Sequence, residues 1–158
     1  MKNILSLLAA VTISAAVQCC TPDKQERCER SEWTIVSTAT TATVYNAVPE
    51  QCDDDYMVTA SNYRIDKSKL ENIRIAAMER TMMKRYGITY GSYILVQGAG
   101  SMDGIWRIED TMNRRFAGQD KIDFLVPDDI RTGMWTNITV FKPANEYAEQ
   151  MCRNLYNT

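Results

Sequence analysis

The stretch "GIWRIEDTMNRRFAGQDKIDFLV", from Gly104 to Val126, is the most informative part of the sequence for the fold. It contains two short apolar runs, "GIWRIED" and "KIDFLV", which are typical of β-strands and are joined by a polar loop. Each run carries a carboxylate, Asp110 or Asp123, inside a part of the chain that is otherwise suited to burial. The question is whether the chain uses these aspartates for structure or for chemistry.

Strand-like runs continue on both sides of this stretch. Residues 33–47 are rich in β-branched and aromatic residues, and residues 56–63, 72–78, 92–98 and 136–141 are further strand candidates. Residues 78–86 contain no helix breaker and end at Gly87, which predicts a helix. Several short strands separated by Gly, Asp and Pro predict a small β-barrel or a β-sandwich.

The C-terminal segment "PANEYAEQMCRNLYNT" has a helical pattern. Tyr147, Met151 and Leu155 recur at i, i+4 and i+8, with Ala148 and Cys152 beside them. This periodicity predicts a C-terminal helix whose stripe packs onto the domain.

The composition excludes several classes of function. The chain has 158 residues, which favours one domain, and its net charge of −2 without a basic block argues against nucleic acid as a partner. It contains no histidine, which excludes histidine triads, histidine metal sites and histidine general bases. The acidic run "CDDDY" lacks the alternating spacing of a calcium loop, so we expect a solvated loop there. We expect no metal and no cofactor.

The first twenty residues have the pattern of an export signal. Lys2 precedes an apolar run from Ile4 to Val17 that is too short for a good membrane span. Two processing routes remain open: cleavage after the small residues "SAA" (14–16), or lipid attachment at Cys19 or Cys20 within "AVQCC". Residues 21–31 are a polar linker, and residues 32–158 form the folded domain.

The number of cysteines favours the lipoprotein route. Lipidation of Cys19 leaves Cys20, Cys28, Cys52 and Cys152, an even set that permits two disulfides in an oxidising compartment. We therefore expect an exported protein of the cell envelope, either periplasmic or anchored at the outer membrane. The lipid would be its one contact with a membrane, and its oligomeric state is left open.

The two aspartates admit two interpretations. Trp106, Ile108 and Asp110 fall on one strand face by the period of two, and Asp123 could open into the same cleft if the two strands are neighbours. A carboxylate pair without histidine is suited to cleaving a glycosidic bond, with one group acting as a protonated acid. Alternatively, aspartates at strand ends accept backbone N–H bonds in turns, and Arg114 would then be an ion-pair partner.

The segments "TVYNAVPEQCDDDYMVTAS" (43–61) and "YGSYILVQGAGSMDGIWRIEDTMNRRFAGQDKIDFLV" (90–126) together resemble the three-aspartate (3D) domain. The matching features are a strand ending in a tight Gly turn, the Asp110-Thr111 step and the Ile122-Asp123 step. Related barrels occur in membrane-bound lytic transglycosylase A, rare-lipoprotein-A-like proteins and expansins. The resemblance implies a mainly β fold, a small six-stranded double-psi β-barrel with short helices and the C-terminal helix.

The same resemblance implies a ligand and a reaction. The ligand would be the peptidoglycan glycan strand, cleaved between N-acetylmuramic acid and N-acetylglucosamine to a 1,6-anhydro product. Asp123 would act first as the acid and then as the base, with Asp110 beside it. The substrate-binding residues expected around this pair are Tyr45, Thr59, Trp106, Thr111 and Arg114.

The sequence departs from the family at one aspartate. The family's first aspartate lies in an A-V-D step, and the matching stretch "IAAMER" has Met78 there. The rare-lipoprotein-A-like enzymes also use a histidine, which this chain lacks. Three hypotheses follow: a lytic transglycosylase-like enzyme, a barrel that binds glycan or protein without cleaving it, and a structural envelope lipoprotein.

Overall fold

The computed structural model describes residues 32–51, 55–70 and 72–156. The signal segment, the linker and the cysteines Cys19, Cys20, Cys28 and Cys52 lie outside these ranges. Cys152 is a buried free thiol, so the structure does not place it in a disulfide. No helix within the described ranges is both long and apolar enough to cross a membrane.

Six strands form a closed barrel. They are β1 (Trp33–Tyr45), β2 (Ile75–Met78), β3 (Tyr93–Gln97), β4 (Gly104–Thr111), β5 (Lys121–Leu125) and β6 (Met134–Pro143). Their order around the barrel is β1-β5-β2-β4-β3-β6. The pairs β1–β5 and β2–β4 are parallel and the other four pairs are antiparallel. This mainly β, closed six-stranded barrel confirms the predicted fold class and is compatible with a double-psi barrel.

Two α-helices accompany the strands, α1 (Arg80–Tyr86) and α2 (Glu146–Tyr156). Three 3-10 turns, Lys67–Lys69, Gly100–Met102 and Arg114–Phe116, lie in the connections. Helix α1 ends at Gly87, whose φ of 65° is left-handed and is therefore well suited to glycine. The short helix predicted before Gly87 is confirmed, but it begins two residues later than the pattern indicates.

The barrel interior is the main core. Its fully buried side chains alternate along the strands, as the period of two requires. They include Ile94 and Val96 of β3, Ile108 of β4, Ile122 and Phe124 of β5, and Ile138 and Val140 of β6. Met78 of β2 belongs to this core and is fully buried. The position expected for a family aspartate is therefore occupied by an interior apolar side chain.

A second, smaller core covers one outer face of the barrel. Ile75 and Leu125 point outward from β2 and β5 and pack with Ala47, Ile65 and Leu70 of the long connection between β1 and β2. That connection includes residues 55–65, which we call the covering segment. It was predicted to contain a strand at 56–63, and this prediction is wrong: the segment is a tight turn with a single bridge between Val58 and Arg64.

The predicted C-terminal helix is present, and one side of the predicted stripe is buried. Ala148 and Cys152 are buried, with 3% and 4% of their surfaces exposed. Tyr147 and Met151 are exposed to 69% and 36%. Helix α2 therefore lies close to the barrel through its small side chains, and the larger side chains of the stripe face solvent. The side chain of Leu155 lies outside the described part.

Candidate functional site

Asp110 and Asp123 lie in one row across four neighbouring strands. Ala77 of β2 pairs with Asp110 of β4 on one side and with Asp123 of β5 on the other, and Asp123 pairs in turn with Thr43 of β1. We call Thr43, Asp123, Ala77 and Asp110 the aspartate row. Adjacent strands are about 4.8 Å apart, so the Cα atoms of the two aspartates are about 10 Å apart. Ala77 therefore separates the two aspartates within the row.

The aspartate row faces outward from the barrel, and a β-bulge places Asp110 there. Ala76 pairs with Ile108, but the next residue, Ala77, pairs with Asp110, so β4 has one extra residue at Glu109. Ile108 and the preceding alternate residues point into the barrel, whereas Asp110 points outward. Asp123 reaches the same face without a bulge, because its neighbours Ile122 and Phe124 are both interior.

Above the aspartate row lies a cleft of about 700 Å³. Six of the seven predicted site residues line it: Tyr45, Thr59, Asp110, Thr111, Arg114 and Asp123. The covering segment forms one wall, and residues 112–116 form another. The structure thus places these six side chains, which come from separate parts of the sequence, around one cleft.

Trp106 does not line this cleft, so its prediction as a groove residue is wrong. The side chain is 3% exposed, and its ring stacks on Phe124 with centroids 4.3 Å apart. Its indole Nε1–H donates to the carbonyl oxygen of Met102 at 2.8 Å. The period-of-two argument put Trp106 on the face of Asp110, and the bulge at Glu109 breaks that period.

Asp110 is held by three hydrogen bonds. Its Oδ1 accepts from the backbone N–H of Ala60 at 3.0 Å and of Thr111 at 2.8 Å. Its Oδ2 accepts from the hydroxyl of Tyr45 at 3.2 Å. Burial raises the pKa of Asp110, and these three donors oppose that rise because they favour the ionised form. Asp110 thus connects the covering segment to β4. It accepts backbone N–H bonds, as the structural alternative in the sequence analysis predicts.

Asp123 has a different environment. Its Oδ1 accepts a single short hydrogen bond, 2.6 Å from the hydroxyl of Thr43. Burial raises the pKa of Asp123, and the negative charge of Asp110 raises it further, while Thr43 and Lys121 oppose the rise. Asp123 thus has one described donor where Asp110 has three, and the charge of Asp110 favours the protonated form of Asp123. This is the property that a general acid needs.

Two residues that act on the aspartates were not predicted from the sequence: Thr43, which donates to Asp123, and Arg80, which lines the cleft. Thr43 lies two positions before Tyr45 on the same strand face, so the alternation of β1 could have indicated it. Arg80, the first residue of α1, lines the cleft, and its charge acts to lower the pKa of Asp110. No local sequence signal indicates Arg80, because its position depends on the pairing of β2 with β4.

A further carboxylate lies one residue after Met78. Glu79 is 2% exposed and caps α1: its side chain accepts from the backbone N–H of Thr81 at 2.9 Å and of Met82 at 2.8 Å. Burial opposes ionisation of Glu79, but the donors of Thr81 and Met82 outweigh it and lower its pKa. Glu79 is thus an ionised capping group with all its described contacts inside the fold.

Among the described residues, no group of three or more acidic or cysteine side chains is arranged to hold a metal ion. Part of the acidic run 52–56 lies outside the described ranges, and Asp55 lines the cleft. Neither a protein-family model nor a curated protein matches the sequence. The case for a function therefore depends on the geometry of the cleft and on the resemblance in the sequence.

Proposed function

We propose that this protein acts on the glycan strands of peptidoglycan, cleaving the glycosidic bond in the manner of a lytic transglycosylase. The observation that carries the proposal is the aspartate row, with a protonatable Asp123 and an anchored Asp110 in one open cleft. The resemblance to the 3D domain, including its Asp-Thr and Ile-Asp steps, supplies the substrate class. The closed six-stranded barrel is compatible with that relation.

In the proposed reaction, Asp123 is the acid and then the base. Its proton passes to the glycosidic oxygen as the bond to the anomeric carbon breaks, and the aglycone leaves as an alcohol. The carboxylate of Asp123 then takes the proton of the 6-hydroxyl group of the same sugar, whose oxygen bonds to the anomeric carbon. The product is a 1,6-anhydro sugar, and Asp123 regains its proton.

The other residues of the cleft position the reacting group. Thr43 donates to Oδ1 of Asp123 and fixes the orientation of that carboxyl. Asp110 provides a negative charge that stabilises the positive charge developing on the sugar ring. Tyr45 and the backbone of Ala60 hold Asp110 in place. Thr59, Thr111 and Arg114 line the remainder of the cleft.

Digestion of purified sacculi tests this proposal. The exported form of the chain is incubated with sacculi, and the soluble products are identified by mass spectrometry. We expect anhydro-muropeptides from the wild type and a loss of at least about 100-fold in Asp123→Asn, because acid–base catalysis contributes about 10²–10⁴-fold. A matched control is Asp120→Asn, since Asp120 lies outside the cleft in an ion pair with Arg85. Equal activity of Asp123→Asn and wild type contradicts the proposal.

A non-catalytic barrel is the alternative, and one observation favours it. All three described contacts of Asp110 are internal to the fold, and two of them are backbone amides. In that case the protein binds glycan or a protein partner, and both aspartates serve structure or ligand binding. Folded wild-type protein that binds sacculi in a pull-down but releases no products would establish this alternative.

We also propose that the protein is exported and anchored in the cell envelope through a lipid on Cys19, with the polar residues 21–31 as a tether. The support is the apolar segment 4–17 and the cysteine pair that follows it. Metabolic labelling with a palmitate analogue tests this: label lost in Cys19→Ser and kept in Cys20→Ser supports it. Label that persists in Cys19→Ser contradicts it.

A further inference from the structure

Three arginines surround the aspartates in the cleft. Arg80 is the first residue of α1, and Arg114 and Arg115 belong to the 3-10 turn that follows β4. All three are exposed, and all three line the same cleft as Asp110 and Asp123. We call them the arginine cluster.

Within the described part of the chain, no member of the arginine cluster forms a salt bridge. Arginines elsewhere on the barrel do: Arg85 pairs with Asp120 at 2.7 Å, and Arg107 pairs with Glu109 at 2.9 Å. The cleft therefore holds guanidinium groups whose bidentate donors are not used by a carboxylate of the described fold. Such donors match the geometry of a carboxylate on a ligand.

The loop that carries two of these arginines is held by the fold. The side chain of Asn113 accepts from the backbone N–H of Arg115 at 3.0 Å and so caps the 3-10 turn. Beyond the turn, the backbone N–H of Gly118 donates to the hydroxyl of Thr81 at 3.1 Å. The ammonium group of Lys121 lies 4.1 Å from the centroid of the Phe116 ring. The loop thus has a defined position beside the aspartate row, which a specific subsite requires.

We infer that the arginine cluster is a subsite for a carboxylate of the ligand, so that the cleft selects an acidic glycan over a neutral one. This inference rests on the proposed function and extends it. A carboxylate approaching Asp110 is repelled by it, and the arginines remove that penalty and add charge-assisted hydrogen bonds. In glycan strands without stem peptides the matching group is the free lactyl carboxylate of N-acetylmuramic acid; where a stem peptide is attached, that carboxyl is an amide and carries no charge. A neutral sugar can accept hydrogen bonds from these guanidinium groups, but it lacks the charge that makes such bonds stronger.

The test compares two forms of one glycan. Peptide-free glycan strands with free lactyl carboxylates are one probe, and the same strands with those carboxylates converted to neutral methylamides are the other. Binding is measured by calorimetry with the full chain carrying Asp123→Asn, which prevents cleavage. We expect the acidic strands to bind more tightly, and this preference to shrink as salt is raised.

Arginine variants in the same background locate the effect. Arg80→Gln and Arg114→Gln should each weaken binding of the acidic strands by about 3- to 5-fold, within the range for exposed ion pairs, and leave the methylamide strands unaffected. Arg80→Lys should lose less than Arg80→Gln. Arg131→Gln is the matched control, because Arg131 is exposed and is not among the residues lining the cleft; it should change neither affinity.

Three results overturn the inference: equal affinity for both probes, equal losses for both probes in the arginine variants, and no binding of the acidic strands. Digestion of sacculi by the wild-type chain, measured in parallel, separates this failure from failure of the proposed function. Anhydro products without an arginine-dependent preference remove the carboxylate subsite and leave the glycan-cleaving activity in place.

Discussion

Replacing Asp110 by alanine removes the acceptor that joins the covering segment to β4. Three hydrogen bonds are lost, from the N–H of Ala60, the N–H of Thr111 and the hydroxyl of Tyr45. At about 1 kcal/mol each, they sum to about 3 kcal/mol. Removing a carboxylate whose pKa is raised by burial returns part of that cost. We therefore expect Asp110→Ala to lower the free energy of unfolding by about 2 kcal/mol.

Two related variants sharpen this prediction. Asp110→Asn keeps an oxygen that can accept from both backbone amides, so it should cost about 1 kcal/mol or less. Asp123→Ala loses only the hydrogen bond from Thr43 and also removes a buried carboxyl, so its free energy of unfolding should be close to that of the wild type.

Urea unfolding measures the free energies, and amide hydrogen exchange reports on the covering segment directly. We expect faster exchange at Ala60 in Asp110→Ala, because that amide loses its acceptor. The reasoning is refuted if Asp110→Ala costs no more than Asp123→Ala and the exchange rate at Ala60 is unchanged.

Three further predictions concern other parts of the fold. Trp106→Ala should lower the free energy of unfolding, measured in urea, by about 3–5 kcal/mol, because Trp106 is a core residue. A loss below about 1 kcal/mol would indicate that its side chain is exposed and not part of the core. Glu79→Ala should lower the free energy of unfolding by about 1–2 kcal/mol, because it removes the cap of α1. In the wild type this contribution is fully present above the ordinary glutamate pKa of 4.5 and is lost as the pH falls through the lowered pKa of the folded state. Melting temperatures measured against pH that show no such loss would be inconsistent with the cap. The difference in stability between Asp123→Asn and the wild type should favour the variant more at pH 7 than below pH 3.8. The reason is that the raised pKa of Asp123 in the folded state makes the wild type less stable as the pH rises from 3.8 through that raised pKa. A difference in melting temperature that does not change with pH would argue against a raised pKa.

Four of the barrel strands were predictable because they coincide with short apolar or alternating runs in the sequence. "GIWRIED" and "KIDFLV" both form strands where the pattern places them, and the short apolar runs at 92–98 and 136–141 do so as well. Closure and strand order were not predictable from local pattern. They depend on pairings between distant parts of the chain: the 13-residue strand β1 pairs with β5 along one edge and with β6 along the other, and the β1–β6 pairing contains register shifts. A register shift of this kind is decided by packing across the sheet and leaves no periodic signal.

The sequence indicated most of the residues that line the cleft, but not how their strands are arranged. A shared cleft for the two aspartates was predicted on the condition that their strands are neighbours, but β2 lies between β4 and β5, and Ala77 separates the two aspartates. The bulge at Glu109 explains why Trp106 was assigned to the wrong face. One extra residue inverts the alternation, and nothing in "GIWRIED" indicates where that residue is inserted.

The C-terminal helix shows a similar limit. Periodicity correctly predicts the helix, but it does not say which of two adjacent apolar faces is buried. Of the residues in the predicted stripe, Ala148 and Cys152 are buried, whereas the larger Tyr147 and Met151 are exposed. Burial of the small side chains allows α2 to approach the barrel closely.

The central claim is that the two aspartates divide their roles, with Asp110 as the anchored anion and Asp123 as the group that carries the proton. Side-chain ¹³C titration of both carboxyls, in the wild type and in Asp110→Asn, tests it most directly. The account predicts that Asp123 titrates above 3.8 and later than Asp110, and that its pKa falls when the charge of Asp110 is removed. Titration of Asp123 in the ordinary range, with no response to Asp110→Asn, would contradict the account.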